Sequence, residues 1–376
     1  MKIGLVCPYN IAIGGGVQEV VKELQTGLMK LGHEVTIITP QPRVPYADEG
    51  RKIIFLGSAT DVKTPLRTTA QFSASVLTDE IDSVLERERF DIIHFHEPWV
   101  PVLSRQILSR SRAVNVATFH AKLPETVVSR TLTKVITPYT KPLLKHINAF
   151  TAVSSAAAEY LLSLADVPVD IIPNGIALER FGKAPAVRGQ NGEKTILYLG
   201  RLENRKGVKW LLRAYAELER RTSGTRLLIA GNGPDREKLE ALANELGIRT
   251  IAFLGFVDEA TKLELLRTAD LFCSPALFGE SFGIVLLEAM ANGLPTVAGD
   301  NPGYTSVMQG LGKLSLVNPK DTTQFAHRLE LLLFDEDLRA LWSKWAKEYV
   351  RQFDYPRVVR AYEAVYQTAL AAARQE

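Results

Sequence analysis

The chain has 376 residues, of which 46% are hydrophobic and 23% are charged, and its formal net charge is +3. This length is enough for two domains with substantial cores, and the composition is that of a globular protein. The small net charge argues against a nucleic-acid partner, which would require a concentrated basic face, and no apolar run reaches the length of a membrane span.

The first residues predict a strand, from Lys2 to Pro8, and we expect no secretory leader before it. The two cysteines, Cys7 and Cys273, lie in separate apolar segments and lack the spacing of a metal set. We therefore expect a cytoplasmic protein with two buried, reduced thiols.

Strands and helices alternate along the first half of the chain. Apolar residues at helical spacing predict a helix over residues 17–31, ended by Gly32, and a second helix over 73–89. Short apolar runs predict further strands at residues 35–39, 53–56, 91–96, 114–119 and 149–153. This alternation indicates a parallel sheet covered by helices on both faces.

The same pattern restarts after Pro173 and Gly175, which break the chain. The predicted strands are residues 195–199, 226–230, 250–254, 271–274 and 295–298, and the predicted helices are 209–220, 236–246, 259–267 and 282–291. The chain is mostly helical from Thr322, and the Asp354-Tyr355-Pro356 segment interrupts it before a last helix over 357–372.

The sequence therefore predicts an α/β protein of two Rossmann-like domains. We expect the first to comprise residues 1–172 plus 357–376 and the second to comprise residues 173–356. Ligands of such folds bind at the carboxyl ends of the strands, so two facing domains would form a cleft there.

The most informative segment runs from Phe278 to Met290, because it carries Glu280 and Glu288 with seven residues between them. We expect Glu280 in a loop and Glu288 on the helix that follows. A helix N-terminus attracts an anion, whereas carboxylates beside it suit a ligand that also carries hydroxyl groups. A phosphorylated sugar such as a sugar nucleotide has both features. Two solvated glutamates on a capped surface helix are the alternative.

A glycine run, Gly14 to Gly16, lies between the first strand and the first helix, where the backbone can closely approach a phosphate. A dinucleotide-binding site would also need an acidic residue at the end of the second strand to hold a ribose. Residues 38–42 contain no carboxylate, which argues against a dehydrogenase.

Two cations follow the first strand of the second half, Arg201 and Lys206. Cations on one loop at a strand's carboxyl end can neutralise a diphosphate as it leaves. A solvated loop is the alternative, and we expect the neighbouring Arg205 to be a bystander.

Histidines mark the strand ends of the first half. His120 follows the strand over 114–119 and can reach a ligand, although a satisfied core or surface histidine is as good an interpretation of it. We expect His94 to be structural and the turn from His96 through Glu97 to line the cleft. A zinc site lacks a third ligand. Asp335, which opens an acidic triplet far from any strand end, is interpreted as a turn and helix start.

With these residues considered together, the chain resembles the family 4 glycosyltransferases of the GT-B fold over nearly its whole length, and within them the phosphatidylinositol mannosyltransferases. The motifs that carry the resemblance are residues 8–9, 14–18, 96–98, 118–120, 172–175, 200–201, 205–207 and 231–234 and the two glutamates.

The resemblance implies transfer of a hexose from a nucleotide-sugar to an acceptor hydroxyl with retention of configuration and without a metal or cofactor. It implies that His120, Arg201, Lys206 and Glu280 are catalytic. The donor-binding residues that it implies are Gly15, Gly16, Arg201, Lys206, Leu254, Gly255, Phe256, Glu280, Ser281, Phe282, Gly283, Ile284 and Glu288. The acceptor-binding residues that it implies are Tyr9, Gln18, His96 and Glu97.

The favoured substrates are GDP-mannose and a phosphatidylinositol-like lipid. The mannosyltransferases carry a basic amphipathic helix, whereas residues 73–89 here are acidic. A basic and apolar segment over residues 127–146 provides another peripheral membrane contact, with a helical pair packed on the first domain as the alternative. The rival hypotheses are a transferase that uses UDP-glucose, UDP-galactose or UDP-N-acetylglucosamine on a lipid or soluble glycan, and a non-catalytic nucleotide-sugar sensor.

Overall fold

The computed structural model describes residues 1–12, 14–42, 46, 50–63, 69–74, 78–100, 102–121, 137–181 and 192–375. Contacts divide the chain into two compact units. The first unit comprises Met1–Gly175 and Tyr355–Glu376, and the second comprises Ile176–Asp354. None of the helices in the described part of the chain combines the length and the apolar character of a membrane span.

The first unit is built on an eight-stranded sheet. Its strands are β1 (Lys2–Val6), β2 (Glu34–Gln41), β3 (Ile53–Lys63), β4 (Thr69–Ala74), β5 (Ile92–His96), β6 (Val114–Phe119), β7 (Ala149–Ala152) and β8 (Val169–Ile171). The spatial order is β4-β3-β2-β1-β5-β6-β7-β8, and every pair is parallel except β3 with β4. The sheet reverses its strand order beside β1, which is where ligands of such sheets bind.

Helices pack on this sheet through apolar stripes. The α-helices are Gly16–Lys30, Thr78–Glu88, Leu103–Leu108, Ser155–Leu164 and Tyr355–Ala373, and Lys141–His146 is a 3₁₀-helix. Leu24 and Leu28 of the first helix share one core cluster with Tyr362 and Tyr366 of the C-terminal helix. The C-terminal helix therefore completes the core of the first unit, as predicted.

The second unit has a six-stranded, all-parallel sheet. Its strands are β9 (Lys194–Leu199), β10 (Thr225–Ala230), β11 (Ile251–Gly255), β12 (Leu271–Ser274), β13 (Thr296–Gly299) and β14 (Leu316–Val317), in the order β11-β10-β9-β12-β13-β14. Its α-helices are Val208–Arg221, Arg236–Glu245, Glu259–Thr268, Ile284–Ala291, Pro302–Val307, Thr322–Phe334 and Glu336–Tyr349. The strand order reverses between β9 and β12, so the predicted Rossmann-like arrangement is confirmed.

The structure corrects the prediction for residues 53–89. β3 extends to Lys63 and pairs antiparallel with β4, and the following helix begins at Thr78 instead of residue 73. The ladder hydrogen bonds of the β3–β4 pair depend on a partner strand, which local periodicity does not reveal.

The unit boundaries also differ from those expected. Residues 173–175 and 355–356 belong to the first unit, where a Cβ atom at Gly175 would lie 2.5 Å from the Tyr355 ring. The helical region is interrupted at Asp354, as predicted, but the last helix begins at Tyr355, so Pro356 lies in its first turn. Proline is tolerated in a first turn because the N–H that it lacks has no intrahelical acceptor there.

Candidate active site

His120 follows the carboxyl end of β6 and is 8% exposed. Its Nε2 atom lies 2.9 Å from Nδ1 of His96. Burial lowers the pKa of His120 to about 3, although the Asn174 side chain opposes this shift. The ring is therefore neutral at physiological pH.

His94, on β5, has the structural role that the sequence predicts. Its Nδ1 atom lies 2.7 Å from the Tyr366 hydroxyl, and its Nε2 atom lies 2.6 Å from Oγ1 of Thr118. The residue is fully buried, which lowers its pKa to about 3. His94 therefore ties β5 to β6 and to the C-terminal helix.

Glu97 follows β5 with a left-handed backbone, at φ 54°. The backbone N–H groups of His120 and Ala121 both donate to its Oε1 atom. Burial raises the pKa of Glu97 to about 7, while the two backbone donors act in the opposite direction. His96 and Glu97 thus have partners within the protein, and their predicted binding of an acceptor stays a prediction.

The glycine loop precedes the helix Gly16–Lys30. Gly15 is the N-cap of this helix and has an extended backbone conformation. Gly16 is the first helical residue and is exposed. A side chain at Gly15 would collide with Gln18, whose Nε2 donates to the Asn10 carbonyl at 3.4 Å. Tyr9 is half-buried just before the loop. The first unit thus brings together the predicted residues Tyr9, Gly15, Gly16 and Gln18 near the carboxyl end of β1.

In the second unit, five charged side chains form a continuous set of ion pairs, which we call the charge cluster. Its members are Arg201, Glu203, Arg205, Lys206 and Glu280. Nη2 of Arg201 lies 2.9 Å from Oε1 of Glu203, an ion-pair distance, and Nε of Arg205 donates to Oε2 of Glu203 at 2.9 Å. Glu280 Oε1 lies 2.7 Å from Nη1 of Arg205 and 2.8 Å from Nζ of Lys206.

The charge cluster joins the loop after β9 to the loop after β12. Arg201 is its most exposed member, with 54% of the side chain accessible, whereas Glu203 is only 6% exposed. With three cations and two carboxylates, the charge cluster retains a net positive charge and offers Arg201 to an anionic ligand. The predicted residues Arg201, Lys206 and Glu280 therefore lie together.

Arg205, interpreted from the sequence as a bystander, is a member of the charge cluster. It bridges Glu203 and Glu280 and also donates to the Gly279 carbonyl at 3.2 Å. Burial alone would lower the pKa of Arg205, but the two carboxylates raise it overall, so it stays charged. Sequence reasoning also missed Glu203; its position two residues before Arg205 on a cationic loop was the available signal.

Glycines fix the shape of these loops. Gly207 begins the helix Val208–Arg221 at φ 72°, and a side chain there would collide with the Pro275 carbonyl. Gly283 caps the helix Ile284–Ala291 at φ 108°, so this helix begins at Ile284 and not at Phe282 as predicted. Ser281 and Phe282 therefore belong to the loop, with Phe282 packed 5.9 Å from the ring of Phe353.

Glu288 lies one turn into the helix Ile284–Ala291 and pairs with Nζ of Lys262 at 2.7 Å. Burial raises the pKa of Glu288, and Lys262 partly offsets that rise. Lys262 also pairs with Glu259 at 2.8 Å. Lys262 was not singled out by the sequence, because its partner is 26 residues away along the chain.

The predicted base-binding segment lies at the end of β11. Gly255 is the last residue of this strand, at φ 72°. Leu254 and Phe256 on either side are 41% and 81% exposed. An exposed aromatic ring of this kind offers a stacking surface for a planar ligand.

Two further predictions concern the surface. Residues 127–136 of the basic segment over 127–146 lie outside the described residues, while Lys141 and Lys145 are exposed and Leu143 is buried. Asp335 accepts a hydrogen bond from the Leu338 backbone at 2.9 Å and caps the helix Glu336–Tyr349, as predicted.

Comparison with known families agrees with this arrangement. Residues 14–180 match the model of Glycosyltransferase Family 4, and residues 183–349 match that of Glycosyl transferases group 1. The chain belongs to the family 4 glycosyltransferases. The phosphatidyl-myo-inositol mannosyltransferase of Mycolicibacterium smegmatis is 34% identical over 97% of this chain and 94% of its own length. The protein of the same name from Mycobacterium leprae is 33% identical over 98% of this chain and 97% of its own.

Solved structures show that this glycosyltransferase has the GT-B fold. Sucrose-phosphate synthase from Thermosynechococcus elongatus matches with a TM-score of 0.77 and 20% identity, covering 99% of both chains. Anabaena HepE in complex with UDP-glucose matches with a TM-score of 0.78 and 17% identity, covering 98% of this chain and 100% of HepE.

Proposed function

We propose that this glycosyltransferase moves mannose from GDP-mannose to a hydroxyl group of a phosphatidylinositol-like lipid, with retention of configuration. The observation that carries the proposal is the 34% identity to a phosphatidyl-myo-inositol mannosyltransferase over 97% of the chain. The charge cluster and Glu288 supply the cations and carboxylates that such a donor needs.

The second unit binds the donor in this proposal. Arg201 and Lys206 hold the diphosphate, whose negative charge grows as the bond to the sugar breaks. Glu280, with the backbone of Ser281 to Ile284, holds the sugar hydroxyls, and Glu288 accepts from the ribose. The segment Leu254–Phe256 borders the base. The Gly15 and Gly16 backbone N–H groups of the first unit contact phosphate.

The reaction needs no enzyme nucleophile in this scheme. The bond from the anomeric carbon to the leaving phosphate oxygen breaks, and the acceptor oxygen bonds the same carbon on the same face. The acceptor proton passes to the phosphate oxygen that has left. This differs from the paired-carboxylate hydrolysis of sugars. His120 stands near the reacting carbon as a neutral group, which agrees with its lowered pKa.

On the acceptor side, we propose that Tyr9 and Gln18 contact the lipid headgroup. Exposed Lys141 and Lys145 support peripheral contact with an anionic membrane, since each basic side chain near such a surface contributes about 1 kcal/mol.

A donor and acceptor panel tests the proposed function. Purified protein is incubated with radiolabelled GDP-mannose, UDP-glucose, UDP-galactose or UDP-N-acetylglucosamine and with vesicles containing phosphatidylinositol or only phosphatidylcholine. We expect label in a lipid product only with GDP-mannose and phosphatidylinositol. Transfer from a UDP-sugar alone would overturn the mannose assignment and favour the donor class bound by HepE.

The stereochemistry of the product is checked separately. GDP-mannose carries an α-linked sugar, so retention gives an α-mannoside, which the one-bond carbon–hydrogen coupling at the anomeric carbon identifies by NMR. A β-mannoside would contradict the same-face mechanism.

We also expect transfer to continue at an unchanged rate after treatment with EDTA, because Arg201 and Lys206 neutralise the leaving diphosphate. Initial rates before and after chelation and gel filtration measure this. A loss of activity that added Mg²⁺ or Mn²⁺ restores would mean that a divalent ion provides the neutralising charge.

A further inference from the structure

We infer that His96 and Glu97 are positioning residues, which hold the ring and the backbone of His120 in place and do not contact the acceptor. The effect on transfer rests on the proposed function, but the geometry of His120 can be measured without it. The inference replaces the acceptor-binding role that the sequence resemblance implies for these two residues.

His96 has the burial expected of a positioning residue. Its side chain is fully buried, and its ring centroid lies 4.2 Å from that of His94 and 5.2 Å from that of His120. Nδ1 is engaged with Nε2 of His120, whereas Nε2 has no hydrogen-bond partner among the described residues. Within the part of the chain that the structure describes, the polar contact of this ring is therefore with His120.

The hydrogen bonds select one proton arrangement. One of the two facing nitrogens must donate, since burial lowers the pKa of both histidines and keeps them neutral. If His120 donated from Nε2, His96 would carry its proton on Nε2 and leave a buried N–H without an acceptor. A buried N–H without a partner is rarer than an unused acceptor. His96 Nδ1–H therefore donates to Nε2 of His120.

This arrangement leaves the His120 proton on Nδ1 and its Nε2 occupied by the His96 N–H. The Asn174 side chain raises the pKa of His120, but burial outweighs this influence and the ring stays neutral. The contact with His96 therefore fixes the ring in one orientation and leaves no free lone pair at Nε2 to take the acceptor proton.

Glu97 holds the backbone of the same residue. Its Oε1 accepts the N–H groups of two consecutive residues, His120 and Ala121, so the carboxylate fixes the path of the chain where it leaves β6. The left-handed φ of 54° turns the Glu97 side chain toward them, a conformation that costs energy for a residue other than glycine. Backbone strain of this kind is typical of functional sites, where the strained conformation serves binding or catalysis.

Three variants of His96 separate positioning from acceptor binding. An asparagine side chain places an N–H near the position of Nδ1, and a glutamine side chain places one near Nε2, whereas leucine provides neither. We expect His96→Asn to keep most of the transfer rate and His96→Gln and His96→Leu to lower kcat by about 10- to 100-fold. The KM for the lipid acceptor should change less than twofold.

The opposite pattern would overturn the inference. If His96 contacts the acceptor through Nε2, His96→Gln will be active, His96→Asn will be impaired, and the acceptor KM will rise. His327→Leu is the matched control, because His327 is exposed and lies outside the site. Thermal melting of each variant confirms that the fold is kept.

An NMR measurement on the wild-type protein tests the geometry without any turnover. Two-bond ¹H–¹⁵N spectra of [¹⁵N]histidine-labelled protein distinguish the tautomers, and the His120 signals are identified by their loss in His120→Asn. We expect the proton on Nδ1 and no titration from about pH 5 to about pH 8. The tautomer should persist in His96→Asn and change in His96→Leu.

A proton on Nε2, or a His120 ring that titrates in that range, would overturn the inference. If the donor panel shows no transfer at all, the proposed function fails while the NMR result still decides the role of His96.

The backbone role of Glu97 is tested by two variants. Glu97→Gln keeps an acceptor oxygen and should retain at least tenfold more activity than Glu97→Leu. Equal rates in the two variants would contradict its backbone role.

Discussion

Replacing Lys206 by alanine is expected to reduce sugar transfer by about 100- to 1,000-fold, the usual effect of removing one preorganised group that stabilises developing charge. Lys206 lies on the loop after β9, and its ammonium group lies 2.8 Å from Oε1 of Glu280. In the proposed reaction it neutralises the diphosphate as the sugar leaves, so the loss falls mainly on kcat. Initial rates with saturating GDP-mannose and phosphatidylinositol vesicles measure this effect.

The charge cluster explains why this variant should still fold. Glu280 keeps its 2.7 Å pair with Arg205, so the substitution leaves no buried carboxylate without a cation. Lys209→Ala is a matched control, since it removes the same charge three residues away on the helix Val208–Arg221. If Lys206→Ala transfers mannose at a rate close to that of Lys209→Ala, the diphosphate is bound elsewhere.

Local signals predicted most of the strands and helices, because apolar spacing and glycine breaks report the buried faces directly. They also located Arg201, Lys206, Glu280 and His120 at strand ends, since parallel sheets present their ligands there. The antiparallel β3–β4 pair was missed, because its pairing depends on a partner strand and not on local apolar spacing.

The sequence also did not predict contacts between side chains that are far apart along the chain. Arg205 and Glu280 are 75 residues apart and His96 and His120 are 24 apart, yet each pair is in direct contact. The sequence identified the residue types at these positions but not which of them touch. Consequently it interpreted Arg205 as a bystander and did not reveal that His96 contacts His120. The acceptor role that the resemblance implies for His96 stays a prediction.

In each unit, a predicted site residue contacts a buried neighbour: Arg201 lies beside Glu203 in the second unit, and His120 lies beside His96 in the first. Holding a side chain in advance reduces the conformational entropy that binding would otherwise cost. If Arg201 and His120 act as proposed, we expect substitutions of these buried neighbours to lower kcat.

Glu280→Gln is the second substitution with a large expected effect. The amide keeps the size of the side chain but removes the charge that attracts Arg205 and Lys206 and that accepts strongly from sugar hydroxyls. We expect transfer to fall by at least about tenfold, since a hydrogen bond to a charged group is worth about 1.5–3 kcal/mol. Rates with GDP-mannose, together with the affinity for GDP, measure the effect.

The affinity for GDP locates the loss. GDP lacks the sugar, so a carboxylate that holds sugar hydroxyls should matter little for GDP binding and much for transfer. Glu237→Gln is the matched control, because Glu237 is exposed on the helix Arg236–Glu245. Equal rates in the two glutamine variants would remove Glu280 from the sugar site. An equal loss of GDP binding and of transfer would instead show that Glu280 acts by orienting Lys206 and Arg205 toward the diphosphate.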